Sequence, residues 1–176
     1  MKITNTYLLV ALLSLLSVVG LACFHNDIIS DASIVTQIKD KLKNEPVLKN
    51  ANVEVSSSYG NVIVSGLVDT KLQVEKIVTF VQSIKWVKDV DTKNLKVKDS
   101  NTPLTDIYIT AKVKGALIRD RLLDVTTPSS IQVETKNNIV YLSGKVNNQK
   151  QVNEIVASAK SVRGVDSIEN GLIINQ

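Results

Sequence analysis

The chain has 176 residues, close to the length of one ordinary domain, so any division yields small units. Hydrophobic residues make up 44%, which excludes general disorder, and aromatic residues only 4%, so the cores must be built from Val, Ile and Leu. A formal net charge of +4 is too small an excess to predict a nucleic-acid-binding face, and a single cysteine excludes an intramolecular disulfide.

At the N-terminus Lys2 precedes an uncharged run from Tyr7 to Ala22. A basic start, an apolar middle and small residues before the cut form the pattern of an export signal. A helix of those 16 residues spans about 24 Å, short of the roughly 30 Å hydrocarbon core, so 1–22 is predicted to be cleaved rather than to span. Gly20-Leu21-Ala22-Cys23 resembles a bacterial lipobox, which predicts lipidation of Cys23 as the first mature residue. An ordinary signal-peptidase cut after Ala22 is the alternative, because Gly20 and Ala22 are both small. Phe24 rather than Asp follows the cysteine, and by the lipoprotein sorting rule this implies the outer membrane. Residues 23–30 are a polar tether that carries His25, the one histidine.

From residue 31 the chain reads as alternating short elements. Ile34, Val35, Ile38 and Leu42 have helical spacing, and Pro46 ends the helix. Val53 and Val55 alternate with polar residues, Ser57 to Asn61 turn the chain, and Val62 to Val68 return it, a hairpin. Thr70 followed by Gln73 fits a capping box, and Val74, Ile77, Val78, Val81 and Ile84 then form a helical apolar face. Val87, Val90, Leu95 and Val97 supply a last strand, giving the order α-β-β-α-β over 31–98.

After a polar linker at 99–103, the unit returns at 104–176. Ile131, Val133, Val140, Leu142 and Val146 supply the hairpin, Asn148 and Gln151 replace the Thr70 and Gln73 cap, and Val152, Ile155, Val156, Ala159 and Val162 form the second helical face. Val165, Ile168, Leu172 and Ile174 close the unit, and the register is 78 residues from Val53 to Val90. The first helices match at 75 instead, Asp31 with Asp106 and Leu42 with Leu117, which places three extra residues in a loop near Val125-Thr-Thr-Pro128. Gly66 and Gly144 recur where the second strand ends, and both are predicted to serve backbone geometry rather than a ligand. The fold class is α+β. Units of about 70 residues without a disulfide hold only a few kcal/mol, so the two are predicted to lean on each other or on a surface.

The usual sources of catalysis are absent from the pattern. One histidine in a tether provides no triad or metal cluster, no Gly-x-Gly-x-x-Gly or Walker-type loop occurs, and Ser65 and Ser143 have no base at readable spacing. The expectation is no enzyme, no cofactor, no metal and no small-molecule substrate.

Val64-Ser-Gly-Leu-Val68, Leu142-Ser-Gly-Lys-Val146 and the closing Val162-Arg-Gly-Val-Asp-Ser-Ile-Glu-Asn-Gly-Leu172 resemble the BON domain, over nearly all of 31–175. In the first unit Trp86 stands where the second has Gly164, and one extra residue precedes Leu95. The resemblance implies two small BON domains, each a three-stranded mixed sheet packed on two helices. Tandem copies behind an export signal are similar to dual-BON outer-membrane lipoproteins. That likeness implies a non-enzymatic, periplasm-facing protein that supports envelope integrity and binds anionic phospholipid through the second unit's first helix, here 106–123.

On that helix Ile109, Val113, Ala116 and Leu117 account for a core face, while Tyr108, Ala111, Ile118 and Leu122 form a second apolar strip beside Lys112, Arg119 and Arg121. An apolar strip edged by cations suits a bilayer interface, and it equally suits packing against the first unit. The resemblance favours the bilayer and makes Tyr108, Lys112, Ile118, Arg119 and Leu122 the candidate phospholipid-binding residues. The competing reading is a soluble periplasmic osmotic or stress-response protein of the interaction or chaperone-like type, in which the same helix meets envelope proteins. RNA binding through a KH-like arrangement fails, because the chain is exported and lacks a Gly-x-x-Gly loop between helices.

Overall fold

A computed structural model describes residues 30–49, 51–100, 103–123 and 131–175. The signal segment 1–22, Cys23 with its tether up to residue 29, and the insertion near Val125–Pro128 lie outside the described residues. The first unit runs α1 (Asp31–Lys43), a 3-10 turn (Pro46–Leu48), β1 (Asn52–Ser58), β2 (Asn61–Val68), α2 (Lys71–Gln82) and β3 (Asp89–Val97). The second runs α3 (Thr105–Arg119), β4 (Ile131–Lys136), β5 (Ile139–Val146), α4 (Gln149–Lys160) and β6 (Ser167–Ile174).

The α-β-β-α-β order holds twice, and each unit has its own three-stranded mixed sheet. Two strands joined by a two-residue turn must run antiparallel, as β1–β2 and β4–β5 do. The third strand pairs parallel to the second, which requires a crossover, and α2 and α4 supply it. The expected caps form: Thr70 Oγ1 accepts from Gln73 N at 3.2 Å and Gln73 Oε1 accepts from Thr70 N at 3.2 Å. In the second unit Asn148 Oδ1 accepts from Gln151 N at 2.9 Å, and Gln151 Oε1 reaches Asn147 N, one residue earlier than a capping box. Each helix thereby satisfies N–H groups at its N-terminus that have no partner within the helix.

The extra residue before Leu95 is a β-bulge. The β2–β3 register shifts between Ile63 and Ser65, whereas β5–β6 runs unbroken from Ile139 to Val146. Trp86 takes a left-handed backbone, φ 80°, where Gly164 has φ 100°, so the geometry is kept although the glycine is not.

Gly66 and Gly144 both have φ in the range that L side chains avoid, 137° and 123°. A β-carbon on Gly66 would also lie 2.2 Å from the Asn52 carbonyl oxygen, so the hairpin pairs correctly only if that position carries none. The structural reading of this glycine therefore holds.

Asp31 and Asp106 perform the same task in the two copies. Asp31 accepts from the Ser57 hydroxyl and from Tyr59 N at 2.7 Å and Gly60 N at 3.0 Å, and Asp106 accepts from Asn137 N at 2.9 Å and Asn138 N at 3.0 Å. Each carboxylate ties the first turn of a helix to its hairpin turn. The Ser57 hydroxyl, then the Gly60 and Tyr59 N–H groups, hold the Asp31 carboxyl below the usual value of 3.8. Because the folded-state pKa is depressed, the stabilisation is full above the unfolded value and is lost as pH falls through the folded one. Asp31→Asn is thus expected to lower the melting temperature at pH 7, with the gap to wild type closing as pH falls below 3.8. A gap independent of pH would show that the charge does not hold the turn. Gly66→Ala is expected to cost roughly 1–3 kcal/mol in chemical denaturation, from backbone strain alone.

Candidate functional site

The helix expected to contact lipid is built into the protein on both faces. One face, with Ile109, Val113, Ala116 and Leu117, belongs to the second core as expected. On the other, Ala111 is a fully buried member of the first unit's core, and Leu104, Ile107 and Tyr108 pack against that core. The second apolar strip therefore closes the junction of the two units over much of its length.

The approach of α3 to α2 is set by Gly115. A β-carbon there would meet Gln82 Cβ and the Thr79 carbonyl oxygen, each at 2.6 Å, so only glycine lets the backbones come this close. Glycine inside a helix costs about 1 kcal/mol relative to Ala, and this contact gives the reason for it. Thr79 Oγ1 donates to the Ala111 carbonyl at 3.2 Å across the same gap.

Around this contact the polar groups are matched. Lys112 is only 8% exposed, and its Nζ lies 3.0 Å from Asp89 Oδ1. Asp89 Oδ2 meets Arg163 at 3.2 Å, so one carboxylate of the first unit holds two cations of the second. Lys114 pairs with Glu75 at 2.6 Å, Arg119 donates to the Val87 carbonyl at 3.2 Å, and the Tyr108 hydroxyl donates to the Leu95 carbonyl at 2.5 Å. Burial raises the Tyr108 pKa, so the hydroxyl stays a donor through the physiological range. Burial pushes the Asp120 carboxyl up, but hydrogen bonds from Arg119 and Ser158 outweigh it and hold the group charged. Gln82 Oε1 lies buried in the same junction with no partner among the described residues.

Of the five candidate phospholipid-binding residues, Tyr108, Lys112 and Arg119 are engaged with the first unit. Ile118 and Leu122 remain half-buried near the C-terminal end of α3, and Leu122 packs on the second core. Arg121 adopts φ 60° where the helix ends, and the Leu122 and Leu123 N–H groups return to the Leu117 carbonyl. The sequence reading missed Asp89, Glu75 and Gly115. Their signal was the mismatch between copies, since the second unit has Ser167 and Asn153 at the places of Asp89 and Glu75, and the first has Asp40 at the place of Gly115.

The repeat also shows what α3 does for the first unit. Val78, Val87, Val90, Leu95 and Val97 are buried, Val97 the most exposed at 8%. Their counterparts by strand register and repeat spacing are Val156, Val165, Ile168 and Leu172, all half-buried, and Ile174, 39% exposed. Among the described residues no helix covers that side of the second unit, and Lys160 stands exposed beside it. No cluster of metal-binding side chains occurs among the described residues, and none of their helices is long and apolar enough to cross a membrane.

Comparison with known proteins matches the BON domain to residues 30–99 and again to 105–176. The chain is 29% identical over 147 residues to osmotically-inducible protein Y of Escherichia coli, covering 81% of this chain and 71% of that protein. It is 26% identical over 146 residues to an Anaplasma centrale protein described only as uncharacterized, in the gshII 5' region, covering 80% and 91%. Among solved structures, the C-terminal domain of CdsD, a structural protein of the type III secretion system of Chlamydia trachomatis, aligns over 84% of this chain and 68% of that one. That alignment has 16% identity and a TM-score of 0.33.

If the Lys112–Asp89 pair couples the units, removing Asp89 strands the Lys112 charge in a nearly dry site, whereas removing Lys112 leaves Asp89 paired with Arg163. Asp89→Ala is expected to lower stability by roughly 3 kcal/mol in urea denaturation followed through Trp86, the single tryptophan. A change under about 0.5 kcal/mol would assign the pair to the solvated surface.

Proposed function

The chain belongs to the BON-domain family, and on that premise we propose that it is a non-enzymatic, periplasm-facing envelope protein of the osmotic or stress-response type. We propose further that lipid on Cys23 tethers it to the outer membrane and that its second unit contacts anionic phospholipid. The similarity to osmotically-inducible protein Y over most of the chain supports the first statement. The lipobox-like Gly20-Leu-Ala-Cys23 supports the tether.

One observation carries the lipid contact, namely the uncovered α4–β6 side of the second unit. Ile168, Leu172 and Ile174 form an apolar strip there that the first unit keeps buried, and Lys160 edges it. Apolar side chains enter the headgroup boundary, and each nearby cation adds about 1 kcal/mol on an anionic surface. Tyr108, Lys112 and Arg119 would then orient the second unit through their contacts with the first, while Ile118 and Leu122 remain available at the end of α3. Firm attachment takes more than one acyl chain, so the protein surface would choose where on the membrane the molecule sits.

Flotation of the mature chain carrying Cys23→Ser with vesicles tests this reading. The chain is expected to float with phosphatidylglycerol-containing vesicles and not with pure phosphatidylcholine, and Lys160→Glu with Ile174→Asp is expected to reduce flotation about tenfold. Undiminished flotation of that variant would move the contact to Ile118 and Leu122. A folded chain that floats with neither vesicle would favour the soluble stress-response reading.

A further inference from the structure

The first unit has a groove lined by apolar positions that are buried in the second. It lies between α1, the 3-10 turn and β1, has a volume of about 420 Å3, and has Leu42, Val53 and Val55 on its floor with Lys39, Lys43 and Lys49 around it. The three floor residues are half-buried, whereas their counterparts Leu117, Ile131 and Val133 in the second unit are buried to 0%, 6% and 6% exposure. Both copies thus have the same apolar positions, and only the first leaves them accessible.

The charge around this groove has one sign. Its described lining contains three lysines and no carboxylate, and none of the three lysines has an ion-pair partner among the described residues. The junction cations Lys112, Arg163 and Lys114, by contrast, are paired with Asp89 and Glu75. An apolar floor with a rim of unmatched cations is complementary to a molecule with an acyl chain and a carboxylate or phosphate head. The volume falls within the usual range for small-molecule sites.

We propose that this groove binds a single anionic amphiphile, with its acyl chain along Leu42, Val53 and Val55 and its headgroup among Lys39, Lys43 and Lys49. A bilayer does not fit the same surface, because the apolar residues form a floor and a flat membrane is met by side chains that project. This goes beyond the contact proposed for the second unit and does not depend on it. Each buried methylene contributes about 0.8 kcal/mol, so a chain of several carbons supplies affinity while the lysines select the head.

The test uses the mature chain with Cys23→Ser and dodecanoate below its micelle-forming concentration. Methyl resonances of Leu42, Val53 and Val55 are expected to shift saturably, those of Leu117, Ile131 and Val133 are not, and dodecyl maltoside is expected to bind at least tenfold more weakly. Lys39→Gln with Lys43→Gln and Lys49→Gln alters only exposed side chains and is expected to weaken dodecanoate about tenfold with its circular dichroism unchanged. The proposal is overturned by an equal affinity in the triple variant, by shifts in the second unit instead, or by the absence of dodecanoate binding. Flotation that needs the three lysines without dodecanoate binding would make the groove a membrane face and also overturn it. Flotation through Lys160 and Ile174 is unaffected by any of these results.

Discussion

The close approach of α3 to α2 at Gly115 is the constraint on which the rest of the molecule depends. With no side chain between the backbones, Ala111 enters the first unit's core and Tyr108 reaches the Leu95 carbonyl on β3. Two units of about seventy residues, each too small to hold a large core, are thereby joined through one helix with a core on either side. The apolar contacts drive the docking, since a buried ion pair repays little more than its own desolvation. The Asp89–Lys112 pair contributes selectivity, because any other seating of α3 would leave at least one of these charges without its partner in a dry site.

The fold was legible in the sequence because its signals are local. Alternation in Val53 and Val55, the Thr70–Gln73 box and the shared position of Gly66 and Gly144 each concern residues within a few places of one another, and the repeat doubled every one of them. The bulge in β3 and the left-handed Trp86 also corresponded to places where the copies disagree. The junction was legible only in part. A helix with two apolar faces shows that a second surface is met, but lipid and protein both accept Tyr108, Ala111 and Lys112, so the pattern alone does not separate them. What decides is the partner side, Asp89 and Glu75 on the first unit and the missing β-carbon at Gly115, and each of these looks unremarkable until its counterpart, Ser167, Asn153 or Asp40, is set beside it. The differences between copies marked the site, and the identities marked the scaffold.

The same logic gives the tandem a direction. The face of α1 that matches the docking face of α3 carries Ser33, Thr36, Gln37, Asp40 and Asn44 in place of Tyr108, Ala111, Lys112, Gly115 and Arg119. A polar outer face of this kind closes an array of repeats, since it has nothing to bury and Asp40 blocks the close approach that Gly115 permits. The other end is not closed in this way: Ile168, Leu172 and Ile174 remain where the first unit has residues under α3. A second copy does not fit that place through α1 in the geometry α3 uses, because Asp40 carries a side chain where the close approach requires the bare backbone of Gly115. Adding further copies end to end in that geometry is therefore disfavoured by the same residue that ends the array. The two ends of the tandem are therefore unlike, polar on α1 and apolar along β6.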